Sequence, residues 1–166
     1  MSRGANAMDV AGILAPENVR FADDVRSKKH ALDVLAELLA SAAGQAQAVE
    51  VLNALVARER LGSTALGASV AMPHARLPGL DRIVAAFLRL ADGVDFDAPD
   101  GKPVDLLFGL LLPSGSSEQE LDALRELVQR LRDPELQERL RAAEDPDALY
   151  RALTAGAAQH RRRSSG

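Results

Sequence analysis

Residues 104–112 read VDLLFGLLL, an apolar run with a single charge, set between Pro103 and Pro113. Nine residues are too few to cross a bilayer as a helix, which takes about 20. The run suits a strand buried on both faces better than a helix, although periodicity alone does not separate the two. Residues 83–90, IVAAFLRL, read the same way. A sheet whose central strands are apolar on both faces has to be covered on both sides, and helices are the usual cover.

The remaining segments supply those helices. Ser27 opens one, with Leu32, Leu35, Leu38 and Leu39 on one face and Gly44 as its C-terminal stop. A second runs from about Gln47 to Arg60, with Val49, Leu52, Leu55 and Val56 as its expected buried stripe and Gly62 ending it. Ser117-Glu118-Gln119-Glu120 has the capping-box pattern, with Leu121, Leu124, Leu127, Val128 and Leu131 behind it. Asp133-Pro134 and Asp145-Pro146 each place a capping Asp before a first-turn Pro, and predict short helices over 134–144 and 146–153. Val19 and Phe21 predict a brief strand, and Val70-Ala71-Met72 a short one ended by Pro73. Asp92-Gly93 and Asp100-Gly101 read as turns, with an edge-like strand at Val94 and Phe96 between them. The expected fold is a single-domain α/β sandwich with a mixed sheet flanked by helices, over residues 13–154. Residues 1–12 and 155–166 are expected to be flexible tails.

Composition narrows the function. The chain has 166 residues, 47% hydrophobic and 27% charged, which is ordinary globular usage. It has no cysteine, so thiolate catalysis, iron–sulfur clusters and cysteine zinc sites are excluded. A net charge of −4 and 3% aromatic residues argue against a nucleic-acid surface. The run His160-Arg161-Arg162-Arg163 is a local exception, read as a solvated tail. The N-terminus lacks a secretory signal, and no segment is a membrane span, so the expected location is the cytoplasm. No two of the three histidines have metal-ligand spacing.

His30 sits among lysines at the start of a helix and His160 in the basic tail. His74 is different. Pro73 ends the short strand before it, so His74 falls at the strand's C-terminal end, where open α/β sheets place reactive groups. Taken alone, such a His is more often a structural hydrogen-bonder.

The surroundings of His74 carry more. Arg58-Glu59-Arg60-Leu61-Gly62-Ser63-Thr64, then Gly67, then Val70-Ala71-Met72-Pro73-His74-Ala75-Arg76, resembles the signature of the enzyme IIA components of the fructose/mannitol family of the bacterial phosphotransferase system. The resemblance extends to Ser27–Leu32, Pro103–Pro113 and Leu140–Ala143, covers about residues 13–154, and is strongest to the nitrogen-regulatory branch. It implies that His74 is a phosphoacceptor fed by a phosphohistidine on a small HPr-like carrier, with neither metal nor nucleotide cofactor. Arg58 matches the family arginine and is expected to neutralise phosphoryl oxygens. Gly62, Ser63 and Thr64 are expected to end the helix and to offer donors to the phosphoryl group or to His74. Arg76 is expected as a second cation or as part of a docking rim. Many members carry a second His where this chain has Glu120, so that role does not carry over; Glu120 is expected to close the capping box onto Ser117.

Two functions follow from the resemblance. A regulatory carrier binds partners according to its phosphorylation state, with potassium transporters and sensor kinases as the targets the family suggests. A transport component passes phosphate to a sugar-specific IIB domain. Outside the resemblance stand an interaction module without phosphorylation and a hydrolase using His74 as base, for which no nucleophile is visible.

Overall fold

The computed structural model describes residues 9–44, 46–115 and 117–165, with side chains as far as Ala155. Helix α1 (Val10–Ile13) leads into β1 (Leu14–Ala22). Helices α2 (Lys28–Ala43) and α3 (Ala48–Glu59) follow. Three short strands come next, β2 (Ala65–Gly67), β3 (Val70–Ala71) and β4 (His74–Arg76). The long strands β5 (Val84–Val94) and β6 (Val104–Leu112) lead to α4 (Glu118–Leu131), α5 (Pro134–Ala142) and α6 (Pro146–Ser165).

The six strands form one mixed sheet in the order β1-β5-β6-β3-β2, with β4 also pairing β6. β1 runs parallel to β5, and both β3 and β4 run parallel to β6, whereas β5–β6 and β2–β3 are antiparallel. The two apolar runs are the centre of the sheet, and their alternation supplies two cores. Ala86, Leu88, Leu107 and Leu111 pack under Leu32, Leu35, Leu39, Val51 and Leu55 of α2 and α3. Ala85, Phe87, Phe108 and Leu110 face Leu127, Leu131, Leu140, Leu149 and Leu153 of the last three helices. Burying a Leu or Phe fully is worth about 1.5–3 kcal/mol, so these two layers supply most of the driving force.

The caps form as their residues dictate. Ser27 Oγ accepts from His30 N at 3.0 Å, Ser117 Oγ from Glu120 N at 3.1 Å, and Asp133 Oδ1 from Glu135 N at 3.1 Å.

Several expectations need correction. Val49 is 65% exposed, and Val51 and Leu55 are the fully buried positions of α3. Of the expected stripe, Leu55 is fully buried, Leu52 and Val56 pack at the margin of the core, and only Val49 lies outside it. Asp92-Gly93 is no turn: β5 continues through it, with a register irregularity between Arg89 and Val94, and Val94 pairs Val104. Glycine is needed there because a Cβ would meet Pro103 Cβ at 2.9 Å. The chain reverses at Asp100-Gly101 instead, where Gly101 N bonds Ala98 O at 3.0 Å. Val10 is buried near the start of the described residues, and the last helix runs on to Ser165. Residues 1–8 lie outside the described residues.

Candidate active site

His74 begins β4, which adds parallel to β6 on the far side of Pro73. The strand therefore breaks and resumes, instead of ending before the histidine. Pro73 O accepts from Leu110 N at 3.0 Å and Leu77 N donates to Leu112 O at 2.9 Å, which pins β4 to the central strand. Ala75 packs into the core beneath α2 and α3. His74 and Arg76 leave the opposite face of the strand, because side chains alternate.

The imidazole is partly buried rather than exposed. Its Nδ1 lies 2.9 Å from Met72 O. A carbonyl only accepts, so Nδ1 carries the proton and Nε2 keeps its lone pair. Burial pulls the ring's pKa below its usual 6.5; the fields of Arg58 and Arg76 act in the same direction, while the Met72 bond and Glu59 oppose it. The ring is thus held neutral near pH 7, in one tautomer, with a nucleophilic nitrogen.

His74 lines an open groove of about 540 Å³ between α3 and α4, with Arg58, Leu61, Arg76, Leu121 and Leu124 among its walls. Leu61 is 84% exposed at the rim. Arg58 Nη1 donates to Gly62 O at 2.9 Å, which folds the guanidinium back over the end of its own helix. Gly62 has φ +152°, a region other residues rarely enter.

The hydroxyls of Ser63 and Thr64 are committed inside the protein. Ser63 Oγ donates to Phe96 O at 2.7 Å and accepts from Ala65 N at 3.1 Å. Thr64 Oγ1 donates to the Glu59 carboxylate, which also accepts from Thr64 N at 3.2 Å. Both residues hold the loop rather than offering free hydroxyls to the groove. Glu59, not singled out by the sequence reading, is buried and ion-paired to Lys28 Nζ at 2.9 Å. Its signal lay inside the motif, as the acid directly after Arg58.

Glu120 is also placed differently from expectation. The Ser117 half of the capping box forms, but the Glu120 carboxylate reaches across to Arg76, with Oε1 3.1 Å from Nη1. The same Nη1 donates to Pro113 O at 2.7 Å and Gly115 O at 3.0 Å. Arg76 therefore ties the loop after β6 and the start of α4 to the strand bearing His74. His30 is in the first turn of α2, and the side chain of His160 lies outside those described. Among the described residues no group of three or more His, Asp or Glu is arranged to hold a metal ion, and no helix is long and apolar enough to cross a membrane.

Residues 12–156 match the family described as phosphoenolpyruvate-dependent sugar phosphotransferase system, EIIA 2. The nitrogen regulatory protein of Bradyrhizobium diazoefficiens is 42% identical over 146 residues, 88% of this chain and 95% of that protein. That of Pseudomonas aeruginosa is 44% identical over 127 residues, 76% of this chain and 82% of that protein. The crystal structure of nitrogen regulatory protein IIA-Ntr from Neisseria meningitidis superimposes with a TM-score of 0.80 at 35% identity, covering 87% of this chain and 99% of that one. Mannitol IIA from Escherichia coli, at 23% identity and a TM-score of 0.67, shares the fold. A match over nearly the whole chain, in sequence and in overall fold, makes this protein a member of the EIIA 2 family of the phosphotransferase system, with nitrogen regulatory proteins among its relatives.

Proposed function

We propose that the protein is a phosphoryl carrier that accepts phosphate on Nε2 of His74 from an HPr-like phosphohistidine protein and, in the cytoplasm, regulates partners according to its phosphorylation state. The observation that carries this reading is the Nδ1–Met72 O bond, which leaves Nε2 unprotonated in a groove flanked by two arginines. In the transfer, the Nε2 lone pair forms the new N–P bond as the carrier's N–P bond breaks, and the departing electron pair returns to the carrier's imidazole. His74 keeps its Nδ1 proton throughout, so the ring gains positive character that the Met72 carbonyl accepts more strongly. Phosphoryl transfer asks the protein mainly for positioning and charge stabilisation. Arg58 supplies the charge; its bond to Gly62 O engages one guanidinium nitrogen, and the fork has further N–H donors for phosphoryl oxygens.

The nitrogen regulatory names of the relatives support a regulatory output over sugar transport. Potassium transporters and sensor kinases are the target classes that the family resemblance suggests. The test is incubation with enzyme I, an HPr-like carrier and phosphoenolpyruvate. The expected result is an acid-labile gain of one phosphoryl group, abolished in His74→Ala with the fold retained. Labelling that persists in the variant, at His30 or elsewhere, would overturn the assignment.

A further inference from the structure

Glu59 is the only ionisable side chain that is buried among the described residues, and the transfer chemistry does not use it directly. Its surroundings explain its burial. Lys28 Nζ pairs with Oε1 at 2.9 Å, also reaches Asp97 Oδ2 at 3.2 Å, and lies 4.7 Å above the centre of the Phe96 ring. The other partner of Glu59 is Thr64, through both its backbone N–H and its hydroxyl. Thr64 in turn leads in two directions. Its carbonyl accepts from Met72 N at 3.0 Å, and Met72 O is the acceptor for His74 Nδ1–H. Two residues earlier, Gly62 O holds the Arg58 guanidinium. Ser63, between them, is anchored to Phe96 O.

We infer that Glu59, charge-balanced by Lys28, is a positioning residue for phosphoryl transfer: through Thr64 it sets both the orientation of the His74 imidazole and the place of the Arg58 guanidinium. This rests on the proposed phosphoryl chemistry of His74. The physical reason is that the 60–64 loop has little apolar packing of its own, with Leu61 and Gly62 exposed, so polar bonds decide its shape. A buried carboxylate accepting several charge-assisted bonds is a stiffer anchor than a neutral side chain. The arrangement makes Thr64 a relay to the reacting groups. It also explains why an acid directly follows the phosphoryl-binding arginine. In the last turn of α3, Arg58 is turned toward the groove and Glu59 into the interior.

The test uses the full chain and three variants, Glu59→Gln, Thr64→Val and Thr64→Ser, with two readouts. The first is the limiting rate of transfer from the phosphorylated carrier, separated from the carrier concentration that gives half that rate. The second is the nitrogen-15 and proton NMR signal of His74 Nδ1–H, which needs no carrier. Glu59→Gln and Thr64→Val are expected to lower the limiting rate at least tenfold, with half-saturation changed by less than twofold. The Nδ1–H signal is expected to be sharp in the unaltered protein and to broaden or vanish in both. Thr64→Ser retains the hydroxyl and should keep both readouts within about twofold. A Thr64→Val protein that is merely less stable, with rate and Nδ1–H signal intact, would overturn the inference and leave Glu59 as a stabilising contact. Should Glu59→Gln fail to fold, the Thr64 pair decides. Should the unaltered protein take up no phosphate, the carrier reading falls, while the NMR readout still decides whether Glu59 positions His74.

Discussion

Replacing Glu120 with Gln should raise the equilibrium phosphorylation of His74. Arg76 stands two residues beyond His74 on β4, so their side chains leave the same strand face about 7 Å apart. The cation nearest along the strand to the phosphoryl group is thus already paired, at 3.1 Å, with a carboxylate only 10% exposed. A phosphoryl group of charge near −2 meets an ion pair there rather than a free guanidinium. At about 8 Å, one carboxylate charge repels it by roughly 1 kcal/mol in water and about 4 kcal/mol at an effective dielectric of about 20. Even the lower figure is about a fivefold change in the equilibrium. Gln keeps an acceptor oxygen for Arg76 Nη1 and leaves the Ser117 Oγ bond to the backbone N–H of residue 120 intact, so loop and helix cap survive. The assay is the phosphorylated fraction, by intact-mass spectrometry, of each protein equilibrated with the same phosphorylated carrier. Glu120→His removes the charge too and should shift the same way. An unchanged or lower fraction in Glu120→Gln would refute the electrostatic argument and leave Glu120 as a clamp on Arg76.

Three further outcomes are expected. Arg58→Ala should slow phosphoryl transfer about ten- to a hundredfold, as the loss of a charge-assisted bond worth about 1.5–3 kcal/mol requires; unchanged single-turnover kinetics would reduce Arg58 to a tether on Gly62 O. By NMR titration His74 should protonate below pH 6.5, chiefly because burial disfavours the imidazolium. The unfolded chain then binds that proton more readily, so stability is full above about pH 6.5 and is lost as pH falls through the folded midpoint; His74→Gln should flatten this slope in urea unfolding, and an unchanged slope would contradict it. Gly93→Ala should cost about 1–3 kcal/mol by overpacking against Pro103, seen as a melting temperature lower by several degrees, and an unshifted melt would show that the β5–β6 hairpin yields freely.

The candidate site was legible in part. His74, Arg58 and the glycine-serine-threonine loop stand out because together they resemble a family signature; taken singly, His74 reads as a structural hydrogen-bonder and Arg58 as a surface helix charge. Glu59 did not, although it lies inside the same motif, since nothing in a sequence separates a solvated helix acid from a buried one. The same blindness affected Glu120. Its spacing from Ser117 fitted a capping box, and that local rule held for the backbone bond. A guanidinium 44 positions away then claimed the carboxylate.

Local chemistry was enough for the elements themselves. The capping residues, the apolar runs at 83–90 and 104–112, and the leucine spacing of α2 each carry their own conformational preference, so the α/β class follows from the chain alone. Where two elements meet was decided only in three dimensions. Val51 rather than Val49 is buried because α3 packs beside α2, and the neighbouring elements decide which of the apolar residues flanking Leu55 are covered. Gly93 reads as a turn until Pro103 is placed against it. Proline at position 73 predicts a strand end, yet β6 offers unpaired backbone beyond it, and β4 forms there. Hydrogen bonds and ion pairs between residues distant in sequence depend on distances the sequence does not contain, and those contacts place the strand that carries the histidine and tie it to the start of α4.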